Sequence, residues 1–98
     1  MDAVGEFDIP HDHPCLPGHF PGRPIVPGVV LLDAAFALIL AGHPGQRVTG
    51  LPSIKFTHPV RPGDTVEVSC GPGPDRVAFA CAVAGRDVLR GSVTLGRL

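Results

Sequence analysis

Residues 18–28 read Gly-His-Phe-Pro-Gly-Arg-Pro-Ile-Val-Pro-Gly, and residues 29–41 continue as Val-Val-Leu-Leu-Asp-Ala-Ala-Phe-Ala-Leu-Ile-Leu-Ala. The first segment is predicted to be an irregular loop, because its prolines fix their own φ angles and disfavour helix in the residue before each. The second segment is apolar except for Asp33 and predicts a helix buried in the core, since its 13 residues are too few to span a membrane. A rigid loop that carries His19 therefore leads into a helix that carries one acid.

The composition is that of one small globular domain covering residues 1–98. A hydrophobic fraction of 44% with only 17% charged residues excludes a disordered chain. A net charge of −1, without a basic run, argues against nucleic-acid binding. A chain of this length buries a modest fraction of its surface, so a partner subunit is expected to help stabilise it.

The cysteines and histidines do not form a recognisable metal or disulfide pattern. Cys15, Cys70 and Cys81 contain no CxxC pair and leave one cysteine odd, which favours a reducing cytoplasm. His11, His13 and Cys15 lack a second ligand cluster, so no metal site is predicted. No basic segment followed by an apolar one marks the N-terminus as a signal peptide, and no membrane segment is predicted.

Short stretches with period-two alternation predict strands on both sides of the helix. The helix is expected to begin near Gly28 and to end at Gly42 and Pro44, after a loop over 10–27 and before a turn-rich connector over 44–50. The predicted strands cover 3–9, 53–58, 65–70, 76–84 and 88–95. One helix with an antiparallel sheet is an α+β domain, in which the sheet curls around the helix.

The strand predicted over 76–84 has one large-residue face and one small-residue face. Alternate positions carry Val77, Phe79, Cys81 and Val83. The other face carries alanine at 78, 80, 82 and 84, which would allow another chain to approach closely.

Two blocks of the sequence resemble the signature of the 3-hydroxyacyl-acyl carrier protein dehydratases. The first block comprises His13-Pro14, the stretch 18–28 and Leu32-Asp-Ala34, and the second comprises residues 54–64, Ile-Lys-Phe-Thr-His-Pro-Val-Arg-Pro-Gly-Asp. The resemblance covers about residues 9–95. It implies a hot-dog fold, in which an antiparallel curved sheet wraps one central helix. It also implies dehydration of 3-hydroxyacyl thioesters to trans-2-enoyl thioesters in fatty acid or related lipid or polyketide biosynthesis, without a cofactor.

The same resemblance implies a set of site residues. His19 and Asp33 match the family's catalytic histidine and acid, and Gly28 matches the glycine whose N–H polarises the thioester carbonyl. Substrate contacts are expected from Phe20, Pro27, Phe36 and Phe56. The resemblance further implies a homodimer with shared active sites that acts on a thioester of acyl carrier protein or coenzyme A.

The chemistry of dehydration requires these residue types independently of the resemblance. Imidazole is suited to remove the C2 proton near neutral pH, and an acid must protonate the departing hydroxide. A carboxyl group on an apolar helix is expected to favour its neutral form through desolvation. A helix N-terminus offers N–H groups and a positive dipole end to charge that develops on the thioester oxygen.

Other interpretations remain open at this point. His19 can be an ordinary loop histidine, and Asp33 can form a structural ion pair with Arg23 or Arg61. Ala37 stands where the family usually has glutamine, which favours a non-catalytic acyl-thioester-binding subunit. A thioesterase is a further alternative, although hot-dog thioesterases generally lack the Gly-His-Phe-Pro-Gly motif.

Overall fold

The structure, a computed structural model, describes residues 1–10 and 25–98. Within this part of the chain, one helix packs against a five-stranded antiparallel sheet, which confirms the predicted hot-dog architecture. The elements in chain order are β1 (Asp2–Asp8), α1 (Gly28–Ala41), β2 (Gln46–Phe56), β3 (Thr65–Cys70), β4 (Arg76–Val83) and β5 (Arg86–Arg97). Most of the predicted loop, including His19 and Phe20, lies outside the described residues.

The helix buries only one of its faces in the single chain. Leu31, Ala35 and Ile39 follow the four-residue helical spacing and lie in the core. The opposite face is exposed, and Val29 retains 70% of its accessible surface. The expectation of a helix buried in the core therefore holds for one face only in the isolated chain, because a single sheet covers one side of a helix. No helix in residues 1–10 and 25–98 is long and apolar enough to cross a membrane.

The two ends of the helix are close to the predicted positions. Pro27 is the N-cap residue, with φ −59° and ψ 142°, and no side chain caps this end. At the other end, the Gly42 N–H donates to the carbonyl of Ile39, and Nδ1 of His43 lies 2.9 Å from the same oxygen. A carbonyl only accepts hydrogen bonds, so Nδ1 of His43 carries the proton and satisfies a C-terminal carbonyl of the helix.

The strands are arranged in the order β1-β3-β4-β5-β2, and every neighbouring pair is antiparallel. Strand β3 has the predicted bounds, and its inner face buries Val66, Val68 and Cys70. On β4, the inner residues Val77 and Phe79 are buried as expected. These strands form the floor of the core on which the helix lies.

Strand β2 is longer than predicted, and the expected connector over 44–50 is largely part of it. Glycine and proline at Gly50 and Pro52 argue against a strand in the sequence. Both are tolerated because β2 is an edge strand. One side of an edge strand pairs with no other strand, so the missing N–H of proline there breaks no hydrogen bond of the sheet. The pairing with β5 shifts register between Val48 and Gly50 and again between Gly50 and Ser53, which absorbs the irregularity.

The alanine face of β4 ends one residue earlier than predicted. Ala84 lies in the turn after Val83 and has a φ of 51°, whereas Gly85 has a φ of 81°. Val83 pairs with Arg86, so Ala84 and Gly85 form a two-residue hairpin with the positive φ angles of a type I′ turn. The predicted turn over 85–87 was therefore displaced, because the sequence at 84 carries no turn signal.

Candidate active site

A cavity of about 430 Å³ lies at the N-terminus of α1, and we call it the helix cavity. It brings together three residues that the sequence predicted to act on substrate, namely Pro27, Gly28 and Phe56. The remaining lining residues are Ile25, Val26, Leu31, Thr57, His58, Pro59 and Val60. The cavity is therefore formed by the entrance to the helix on one side and the segment that follows β2 on the other.

The helix N-terminus is held in this cavity by backbone hydrogen bonds. The Val26 N–H donates to the Val60 carbonyl over 2.8 Å, which ties the segment before the helix to the segment after β2. The Val30 N–H donates to the Pro27 carbonyl over 3.0 Å and closes the first turn. No hydrogen-bond acceptor for the Gly28 N–H lies among the described residues, and the first turn carries no acidic residue. The positive end of the helix dipole at Gly28 is a favourable position for an oxyanion.

The ring of Phe56 lies directly over Gly28. A β-carbon on residue 28 would be 2.7 Å from Cζ of this ring and 3.0 Å from Cε1. Only glycine permits this approach of an aromatic ring to the start of the helix. Since the ring is 48% exposed, it forms a wall of the helix cavity at the surface of the chain.

Asp33 lies in a different cavity, of about 410 Å³, which we call the Asp33 cavity. Its other lining residues are Phe7, Asp8, Ile9, Val29, Val30, Ala34 and Ala37. Asp33 follows Gly28 by five positions in the helix, which turns the two by about 140° around the helix axis. A single chain therefore does not bring Asp33 to the Gly28 N–H.

Asp33 is exposed in the single chain, so the expectation that its carboxyl group is buried was wrong for the isolated chain. It lies on the helix face that the sheet leaves uncovered. The proposed structural ion pair with Arg61 is absent, because Asp33 forms no salt bridge within the part of the chain that the structure describes. Arg23, the other suggested partner, lies outside the described residues.

Phe36 lies away from both cavities. Its ring packs edge-to-face against Phe79, with the ring centroids 6.1 Å apart and an interplanar angle of 73°. It is half-buried against the core and lines neither the helix cavity nor the Asp33 cavity. Its role as a substrate contact stays a prediction.

His58 also lines the helix cavity, although it was not among the predicted site residues. Its Nδ1 lies 3.0 Å from the Asp87 carbonyl oxygen, and the Thr57 hydroxyl donates to the same oxygen over 2.8 Å. These contacts join the end of β2 to the start of β5 and hold His58 at the wall of the helix cavity. The sequence signal was its place in the second resemblance block, two residues after Phe56.

A metal site does not emerge within residues 1–10 and 25–98, where no three potential ligands of the His, Cys, Asp or Glu type cluster together. The string His11, His13 and Cys15 lies outside those residues.

Comparison with known proteins finds relatives that are dehydratases. The chain is 39% identical over 74 residues to the 3-hydroxyacyl-[acyl-carrier-protein] dehydratase FabZ of Thermomicrobium roseum, covering 67% of this chain and 50% of that protein. It is 42% identical over 74 residues to FabZ of Chloroflexus aggregans, covering 67% of this chain and 51% of that protein. The chain therefore spans about half the length of these curated relatives.

The fold is shared with a solved dehydratase, described as the heterocomplex ApeI:P from Xenorhabdus doucetiae. The two structures superpose with a TM-score of 0.82 at 22% identity, over 94% of this chain and 84% of the other. A family model described as ApeI dehydratase matches residues 1–92. The chain belongs to the ApeI-like dehydratase family.

Proposed function

We propose that the chain catalyses dehydration of 3-hydroxyacyl thioesters, carried by acyl carrier protein or coenzyme A, to trans-2-enoyl thioesters. The observation that carries this proposal is the Gly28 amide, which lies at an uncapped helix N-terminus inside the helix cavity. The family membership of the chain and its 39% sequence identity to a FabZ enzyme support the same reaction.

The proposed mechanism assigns one task to each of three groups. The imidazole of His19 removes a proton from C2, and the electron pair forms the C2–C3 double bond as the C3–O bond breaks. The carboxyl group of Asp33 gives its proton to the departing hydroxide, which leaves as water. The Gly28 N–H donates a hydrogen bond to the thioester oxygen, where negative charge grows in the transition state.

The site requires two subunits under this proposal. Gly28 and Asp33 of one chain line separate cavities, so the Asp33 carboxyl must reach the helix cavity of a second copy. In a C2 dimer, each of the two sites then takes His19 and Gly28 from one chain and Asp33 from the other.

The surface around these cavities is suited to a second copy. Strand β2 is an edge strand, and its solvent-facing side has no partner among the described strands. Exposed apolar side chains on β2 include Leu51, Ile54 and Phe56. Val29 adds a further exposed apolar residue beside Asp33 on the helix. A C2 partner that pairs along β2 would cover both the strand and the uncovered helix face.

A direct test of the reaction uses 3-hydroxyacyl thioesters of several chain lengths. We expect enoyl absorbance to appear without release of free thiol. Free thiol would identify a thioesterase instead. Binding without either product would identify a non-catalytic subunit.

A mixing experiment tests the shared site. We expect His19→Ala and Asp33→Asn chains to be nearly inactive alone, whereas their mixed dimer would contain one site with both groups intact. After equal mixing and exchange of subunits, we expect about a quarter of wild-type activity, since half of the dimers are mixed and half of their sites are restored. If both groups of a site come from the same chain, no mixed dimer regains activity. A stable monomer in light scattering would also overturn the dimer.

The second candidate is a non-catalytic acyl-thioester-binding subunit, and one observation favours it. Ala37 lines the Asp33 cavity and offers no side-chain amide to orient the carboxyl group.

The cytoplasm remains the proposed compartment, in keeping with the free thiols of Cys70 and Cys81.

A further inference from the structure

A third cavity, of about 460 Å³, lies beside the helix cavity, and we call it the arginine cavity. It is formed by the β4–β5 hairpin and by the segment that follows β2. Its lining residues are His58, Pro59, Arg61, Asp64, Val83, Ala84, Arg86 and Val88. Four of these residues, at positions 58, 59, 61 and 64, belong to the second resemblance block, whereas the hairpin residues belong to neither block.

The charges in the arginine cavity favour an anion. Arg61 and Arg86 are both exposed, and neither forms a salt bridge within residues 1–10 and 25–98. The Asp64 carboxylate opposes them, but its Oδ2 accepts the Arg61 backbone N–H over 2.9 Å and is engaged in closing that turn. Among the described lining residues, two arginines thus outnumber one carboxylate, which gives this part of the cavity wall a net positive charge.

The two arginines are held on well-supported backbone. The Gly63 N–H donates to the Ile9 carbonyl over 2.8 Å, which fixes the turn after Arg61 to the end of β1. Arg86 is the first residue of β5 and pairs with Val83 across the hairpin. The Asp87 carbonyl then receives the contacts from Thr57 and His58, which tie the hairpin to the segment after β2.

The arginine cavity and the helix cavity are neighbours, because His58 and Pro59 line both. A ligand that extends along these two residues would have one end beside the Gly28 amide and the other beside Arg61 and Arg86. Among thioester carriers, both carrier protein and coenzyme A present the sulfur on a phosphopantetheine arm, which has a thiol at one end and a phosphate at the other.

We infer that the arginine cavity binds the phosphate group of the arm that carries the thioester. This inference rests on the proposed function, since it takes the thioester to occupy the helix cavity. Guanidinium groups suit the task because their paired N–H donors match the oxygens of a phosphate. The phosphate then fixes how far the arm enters, and so where the thioester carbonyl stops relative to Gly28.

The experiment compares 4′-phosphopantetheine with pantetheine, which lacks only the phosphate. Calorimetric titration of the wild-type protein should show at least about tenfold tighter binding of the phosphorylated arm. In the Arg61→Gln, Arg86→Gln double variant, the two affinities should become nearly equal. Arg97→Gln is the matched control, because it removes the same charge from the opposite end of β5 and lies in neither cavity.

The same variants are then assayed with one 3-hydroxyacyl group on each arm. We expect the double variant to lower kcat/KM for the phosphorylated substrate by about tenfold and to leave the pantetheine substrate unchanged. Parallel assays with carrier-protein and coenzyme A thioesters identify the source of the phosphate as the carrier whose turnover depends on the arginines.

Equal wild-type affinity for the two arms, or a preference that survives in the double variant, would overturn the inference. Its failure is distinct from failure of the proposed function. Turnover of the pantetheine substrate without any phosphate preference contradicts only the phosphate site. An arginine-dependent phosphate preference without enoyl product contradicts only the dehydratase.

Discussion

The ring of Phe56 lies so close to Gly28 that its Cζ is 2.7 Å from the position of a β-carbon at residue 28. The ring belongs to the last residue of the edge strand β2, and the glycine is the first residue of α1. The contact explains in physical terms why residue 28 is glycine, since any side chain must displace the ring. It also places an aromatic wall beside the amide that we propose as the oxyanion donor.

Gly28→Ala should therefore lower turnover by about 10²-fold, the effect of losing one oxyanion donor. Stability should change little, because alanine favours helix and the ring can turn toward solvent from its half-exposed position. Turnover and thermal melting of one variant measure both effects. The double variant Gly28→Ala, Phe56→Leu separates the causes. Recovery of turnover would mean that the displaced ring, and not the blocked amide, was responsible.

Asp33→Asn should lower turnover by about 10²–10⁴-fold, the usual contribution of a positioned general acid. The fold should be retained, because Asp33 is exposed in the single chain and forms no salt bridge with a described residue. Melting at fixed protein concentration and turnover are measured together. Ala37→Ser is the control for a small change of shape, because Ala37 lies one helical turn after Asp33 and lines the same cavity. Loss of the folded state in Asp33→Asn would show that the carboxyl group is structural.

The sequence predicted most of the fold where local signals agreed with the final packing. The helix bounds followed from Pro27 before it and Gly42 after it, and β3 followed from alternation between two turns. The prediction for strand β2 began too late in the sequence, because Gly50 and Pro52 are poor strand residues in general. Their tolerance depends on the edge position, which only the arrangement of the whole sheet decides.

The candidate site was less predictable, because it depends on surfaces and not on local sequence. The apolar run around Asp33 indicated burial, although one sheet covers only the opposite face of the helix. The arginine cavity joins Arg61 to Arg86, which are distant in sequence and meet only when the hairpin lies beside the segment after β2. The catalytic role of His19 stays a prediction, since it lies outside the described residues.

Ala84→Asn should stabilise the protein by about 0.5–1 kcal/mol. Ala84 has a φ of 51° in a type I′ turn, where alanine is unfavourable and Asn-Gly is the preferred pair. Urea unfolding of the variant measures the gain. Ala78→Asn, on the exposed face of β4, should instead destabilise, because asparagine is disfavoured in strands. An unchanged or lower stability of Ala84→Asn would show that the turn does not strain the chain.

Ionisation of Cys81 should lower the stability of the protein at alkaline pH. Burial on the inner face of β4, with a smaller effect of the Asp87 carboxylate, raises the pKa of this thiol from 9.0 to about 11. Between these values the unfolded chain loses the proton while the folded chain keeps it. Stability from the thiol is therefore complete below pH 9 and declines as the pH approaches 11.

The measurement is urea unfolding of the wild-type protein and Cys81→Ala from pH 7 to pH 11 at one protein concentration. Since other titrating groups are common to both proteins, the difference in their free energies of unfolding isolates Cys81. We expect this difference to stay constant up to about pH 9 and then to shrink. Folded wild-type protein should also resist alkylation at Cys81 at pH 8, because the thiolate is the reactive form. A difference that stays constant to pH 11 would show that the thiol ionises as easily in the folded protein as in the unfolded chain.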